Sequence, residues 1–182
     1  MSEKYKVANI RSVHFVTITI IDWVDLLTRP TYKHIIMDSL KYCQQNKGLK
    51  IYAYVIMTSH LHFIVSSKEG FTIPETIRDF KKFTSKKLIE AIKEYPESRR
   101  EWLLNKFSYA AGRIKRGTNY KVWQDGFHPV ELDTNQLLEE KLEYIHRNPV
   151  EEEIVHKPED YIYSSALDYM GEKRILKIEL IK

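Results

Sequence analysis

Alternating apolar residues in three short stretches, amphipathic spacing in three longer ones and their order along the chain predict an α+β sandwich, an antiparallel sheet with helices packed on it. Residues 13–20, Val-His-Phe-Val-Thr-Ile-Thr-Ile, alternate and are rich in β-branched residues, so the first strand is expected there. From Thr31 to Asn46 the apolar residues Ile35, Ile36, Leu40, Tyr42 and Cys43 suit an amphipathic helix. Leu49 to Met57 and Leu61 to Val65 are apolar runs with only Thr58-Ser59 between them, and should pair as an antiparallel hairpin. After a loop at Lys68-Glu69-Gly70, Ile73 to Tyr95 carries Ile77, Phe80, Thr84, Leu88 and Ile92 on one helical face and lysines on the other, with Pro96 as its end.

Residues 97–121 read as a short helix near Trp102 to Phe107 and a basic loop from Gly112 to Lys121. A short strand at Val130 to Leu132 follows, and Asp133-Thr134 offers an N-cap for a helix that the Asn148-Pro149 pair is expected to stop near Arg147. The order β-α-β-β-α-β-α is the ferredoxin-like split βαβ pattern with one additional C-terminal helix. Residues 151–182 hold Glu151-Glu152-Glu153 and Pro158-Glu159-Asp160-Tyr161 and read as a C-terminal strap, so one domain over 1–182 is expected.

Composition narrows the classes further. The chain has 182 residues, 43% hydrophobic and 30% charged, which is globular and excludes disordered and collagenous chains. A single cysteine, Cys43, excludes a disulfide framework and a cysteine-rich zinc site. No stretch has the length of a membrane span, and Met1-Ser2-Glu3-Lys4 opens no signal-peptide core, so a cytoplasmic protein with no membrane partner is expected. The net charge of +4 is unevenly spread: nine basic against five acidic residues in 1–70, thirteen against six in 71–122, and seven against fourteen in 123–182. The basic middle, with Lys81, Lys82, Lys86, Lys87, Arg113, Lys115 and Arg116, suits a phosphate backbone, although a merely solvated helix face has the same composition.

Two clusters suit chemistry. His60 and His62 stand two apart on a strand, so both rings share one face and can approach one cation, a spacing that structural histidines also show. Tyr144 and Asn148 stand four apart on the last helix, one turn apart on one face, with Lys141 and Arg147 flanking. A tyrosine packed at the edge of the core would have the same spacing. His14 on the first strand reads as a packed strand histidine, with a role supporting the histidine pair as the alternative, His128 reads as a loop residue, and His146 falls on the far side of the helix from Tyr144.

Taken together, Tyr54-Val55-Ile56-Met57-Thr58-Ser59-His60-Leu61-His62-Phe63-Ile64-Val65, Phe80-Lys81-Lys82-Phe83-Thr84, Val122-Trp123-Gln124 and Tyr144-Ile145-His146-Arg147-Asn148-Pro149-Val150 resemble the single-tyrosine HUH transposases. The REP-associated tyrosine transposases are the most similar branch, down to Pro158-Glu159-Asp160-Tyr161-Ile162-Tyr163-Ser164-Ser165. The resemblance implies a nucleophilic Tyr144, His60 and His62 as metal ligands with Asn148 as the third, and Mg2+ or Mn2+ as cofactor. It implies cleavage and strand transfer of single-stranded DNA at a hairpin or palindromic element through a 5′-phosphotyrosine, by a homodimer or a monomer. A DNA-binding protein derived from such an enzyme, with little or no catalysis, and a metal-dependent phosphoesterase that uses water remain alternatives.

Overall fold

Alternation over 14–19 and 60–67 builds the two central strands of a four-stranded antiparallel sheet. Its strands are β1 (His14–Thr19), β2 (Leu49–Ile56), β3 (His60–Ser67) and β4 (Val130–Glu131), in the order β2-β3-β1-β4. Helix α1 (Pro30–Asn46) joins β1 to β2, α2 (Ile73–Glu94) and α3 (Arg100–Gly112) follow β3, and α4 (Asn135–Glu151) follows β4. The computed structural model describes residues 12–114, 117–172 and 176–181. Strand order and pairing are those of the ferredoxin-like α+β sandwich expected from the sequence. Among the described residues, no helix is long and apolar enough to cross a membrane.

Register decides which side chains meet. Thr17 lies opposite His62 and Thr19 opposite His60, so these four side chains share one face. Leu61, Phe63 and Val65 point the other way, into the core closed by α1 and α2, and are all but inaccessible. Helix α4 packs over the histidine face, against β2 and β3, which is why β3 is buried at every residue. Its start is fixed as expected, because the Thr134 hydroxyl accepts a hydrogen bond from the Leu137 amide at 3.2 Å.

Two expectations are corrected. Helix α4 does not stop before Asn148-Pro149 but runs to Glu151 with Pro149 inside it. The proline stands in the final turn, where its missing amide removes one intrahelical bond, and the Glu152 amide still closes the turn on the Asn148 carbonyl at 3.1 Å. Helix α3 is twice the expected length, because Leu103, Phe107 and Ala111 recur every four residues and are buried. His14, paired with Val65, is the packed strand histidine expected: it is buried on the α1–α2 face and bonds the Ser12 carbonyl at 3.0 Å, away from the histidine pair.

Residues beyond α4 fold back along the free edge of β2. The Ser165 amide donates to the Tyr54 carbonyl at 3.0 Å and the Ile56 amide to the Tyr163 carbonyl at 2.9 Å. Further along, the Glu179 amide donates to the Ile51 carbonyl at 3.0 Å. This cover removes an exposed strand edge that would otherwise pair with other chains.

Candidate metal-binding and nucleophile centre

β3, β1 and α4 bring the two sequence clusters together. The rings of His60 and His62 lie 4.7 Å apart, centre to centre, and both are buried. The Nδ1 of His62 is 2.9 Å from the Thr17 hydroxyl, and that of His60 is 3.1 Å from the Ser59 hydroxyl. With each Nδ1 held by a hydroxyl, Nε2 is the nitrogen each ring has left for a ligand. Phe15 stacks on the His62 ring at 5.3 Å and fixes its plane.

Because α4 continues past Asn148, that residue stays one turn from Tyr144 on the face toward β3. The Tyr144 phenol lies 3.4 Å from His62 Nε2, its ring 5.1 Å from that of His62, and it is 39% exposed, so solvent or substrate reaches it. The Asn148 side chain lies against both His60 and Tyr144, and its Oδ1 is buried with no hydrogen-bond partner. Lys141 stands over the rings of Phe15 and Tyr144, at 5.0 and 5.6 Å.

The electrostatics favour neutral imidazoles. Burial, with the neighbouring His60 and Lys141, pushes His62 down to about 3, and burial lowers His60 as well. Neutral rings keep the lone pairs that a cation needs. The Tyr144 phenol moves the other way: burial raises its pKa, aided by the charges of Glu151 and Glu152. Phenolate therefore requires a positive charge brought to the centre.

Among the described residues there is no cluster of three His, Cys, Asp or Glu, so the donor set here is two imidazoles and one amide oxygen. That set suits Mg2+ or Mn2+ completed by phosphate or water oxygens, and the unpartnered Asn148 Oδ1 is the atom such an ion would satisfy.

The basic residues divide. Lys82 and Lys86 are exposed and line a groove of about 720 Å³ between α2 and residues 118–127. Lys81 faces the same groove, but its ammonium donates to the carbonyls of Gln124 and Gly126 at 2.5 and 2.7 Å, and burial pulls its pKa to about 8. It thus anchors the loop that carries Gln124 and Gly126. Lys87 points away from that groove and pairs with Glu90 at 2.9 Å beside α1. Arg113 is exposed just after α3, while Lys115 and Arg116 lie outside the described residues.

His146 lies on the opposite side of α4 from Tyr144, as expected, where its Nε2 is 2.9 Å from the Ser165 hydroxyl and burial lowers it to about 4. It latches the helix to the strap. Sequence reasoning missed Thr17, Ser59 and Trp23, whose ring meets His60 edge to face at 5.3 Å. Strand alternation puts Thr17 on the histidine face only once the register is known, and nothing in the sequence signals Trp23.

No curated protein matches this sequence significantly. Among solved structures, a REP-associated tyrosine transposase bound to a REP hairpin aligns with all of this chain and 94% of its own, at 20% identity and a TM-score of 0.62, which shows a shared fold. A candidate transposase from Deinococcus radiodurans R1 aligns with 79% of this chain and 95% of its own, at 12% identity and a TM-score of 0.45. The family model described as IS200-like transposase matches residues 9–148, a span that takes in β1, both histidines, Tyr144 and Asn148, and the chain therefore belongs to the IS200-like transposase family.

Proposed function

We propose that this protein cleaves single-stranded DNA beside a hairpin and transfers the strand through a covalent bond to Tyr144. The observation that carries this reading is the convergence of a phenol and an unpartnered amide oxygen from α4 with two neutral imidazoles from β3, two elements far apart in the chain. The hairpin comes from the REP-associated relative, which was solved bound to one. His60, His62 and Asn148 would hold Mg2+ or Mn2+, which when bound draws charge from the oxygens of the scissile phosphate.

The chain's own residues do the rest. Tyr144 Oη forms a bond to phosphorus as the bond to the 3′ oxygen breaks; the phenolic proton passes to water, and the departing 3′ oxygen takes one up. The product is a 5′-phosphotyrosine and a free 3′ hydroxyl. Because the ester conserves bond energy, a second 3′ hydroxyl can reverse the step and join a new strand without a nucleotide cofactor. Thr17 and Ser59 keep the two imidazoles in one tautomer and orientation, and Lys82 and Lys86 offer charge to the backbone of the bound DNA.

The raised pKa of Tyr144 favours a second reading, a hairpin-binding protein in which this tyrosine reacts little. One experiment separates them. Incubation with hairpin DNA bearing a single-stranded flank and Mn2+, followed by a denaturing gel, should give a shifted protein–DNA band that Tyr144→Phe abolishes. Binding without any adduct selects the second reading, and cleavage that survives Tyr144→Phe selects attack by water.

A further inference from the structure

The turn after β1 holds an aromatic ring at the rim of the centre by unusual means. Asp22 and Trp23, in the 3-10 turn Ile21–Trp23, both have left-handed backbones, with φ of 51° and 56°. Two consecutive non-glycine residues there are strained, and a bulky indole most of all. The surroundings enforce the strain. The Ile21 amide donates to the Val122 carbonyl at 2.8 Å and the Leu27 amide to the Thr58 carbonyl at 2.8 Å. Asp22 pairs with Lys106 at 2.8 Å and Asp25 with Arg99 at 2.7 Å. The result is an indole that is 60% exposed, whereas Trp123 is buried at 3%. Among the described residues its one ring contact is with His60, at 67° between planes, whereas Tyr144 meets His62, so the two aromatics stand against different members of the histidine pair.

We propose that Trp23 is a stacking platform for one unpaired base of the DNA strand, the base flanking the scissile phosphate on the side away from Tyr144. An exposed, rigidly held indole offers a face on which any nucleobase can stack with little loss of side-chain freedom. Edge-to-face contact with His60 ties the position of that base to the metal-binding histidine, so the platform sets the register of the strand across the centre. The assignment rests on the reading of the centre as a single-stranded DNA site.

The test is a double-substitution cycle on the full chain in EDTA, by fluorescence anisotropy with hairpin DNA whose single-stranded flank carries one abasic nucleotide at successive positions. Trp23→Ala should weaken binding to intact DNA by roughly 5- to 100-fold, with Trp23→Phe recovering most of it. At one flank position the abasic DNA should weaken wild-type binding by a similar factor and cost the alanine variant nothing more. The slope of affinity against salt should not change, because stacking releases no counterions. Additive losses at every position, or wild-type affinity in Trp23→Ala, overturn the platform. The nuclease reading is judged separately by the Tyr144 adduct: an adduct without the coupling refutes the platform alone, and the coupling without an adduct refutes catalysis alone.

Discussion

Replacing Asn148 with leucine should make the protein more stable and less capable. Its Oδ1 is a buried acceptor without a partner, a state that costs about 1–3 kcal/mol. Leucine, with the same branched heavy-atom skeleton, removes that cost and gives up the amide's contacts with His60 and Tyr144, worth about 1 kcal/mol. The metal-free variant should gain about 1 kcal/mol, or roughly 2–4 °C in melting temperature for a chain of this size. A cation reverses the ranking. At about 100 times its dissociation constant, Mn2+ stabilises the wild type by about 2.7 kcal/mol, roughly 5–11 °C, whereas the variant, with one ligand of three missing, should barely respond. Calorimetry of both proteins in EDTA and in Mn2+ gives all four values. A variant that melts below the wild type in EDTA refutes the uncompensated cost of the amide, and one that keeps the full Mn2+ shift refutes Asn148 as a ligand.

Tyr144→Phe removes only a half-exposed hydroxyl, so it should abolish the covalent adduct while changing hairpin affinity by less than about twofold and stability by less than about 0.5 kcal/mol; a large loss of binding would assign the phenol a different role. His146 is held neutral in the fold at about 4 against 6.5 when unfolded, so its contribution is complete above pH 6.5 and shrinks as pH falls toward 4, by up to about 3 kcal/mol. His146→Gln should flatten denaturant-measured stability in that window, and an unchanged slope from pH 6.5 to 4 excludes the burial of His146 as the source. Lys82→Ala with Lys86→Ala should reduce the salt slope of DNA binding by about one per lysine for every sequence tested. Lys81→Ala should instead lower the melting temperature, since it leaves two loop carbonyls without their donor; equal behaviour of all three lysines contradicts this division.

The sheet and α2 were legible because their burial is one-sided, and one-sided burial leaves a period in the sequence. Helix α3 was half hidden, since its exposed Trp102 and Tyr109 blur the spacing that Leu103, Phe107 and Ala111 keep. The end of α4 was misplaced because the rule for residues before proline describes an average position, whereas in a final turn few bonds remain to be lost. Of the centre, the histidine pair and the tyrosine–asparagine spacing are local patterns and could be read. That Lys81 reaches back to Gln124 and Gly126, that Thr17 meets His62, and that Trp23 meets His60 are long-range outcomes with no local trace.

The latch between α4 and the strap also bears on the order in which the molecule comes together. Tyr144 meets His62 across 82 residues of chain, and Ser165 meets Tyr54 across 111. Contacts of such separation form late, because the entropy of closing the loop is lost before either contact rewards it. The β2–β3 hairpin closes over a few residues, so the histidines are side by side before α4 docks. A folding chain thus passes through a stage in which the two imidazoles already stand together while the phenol and the amide do not, and the centre is whole only once α4 has docked over β3.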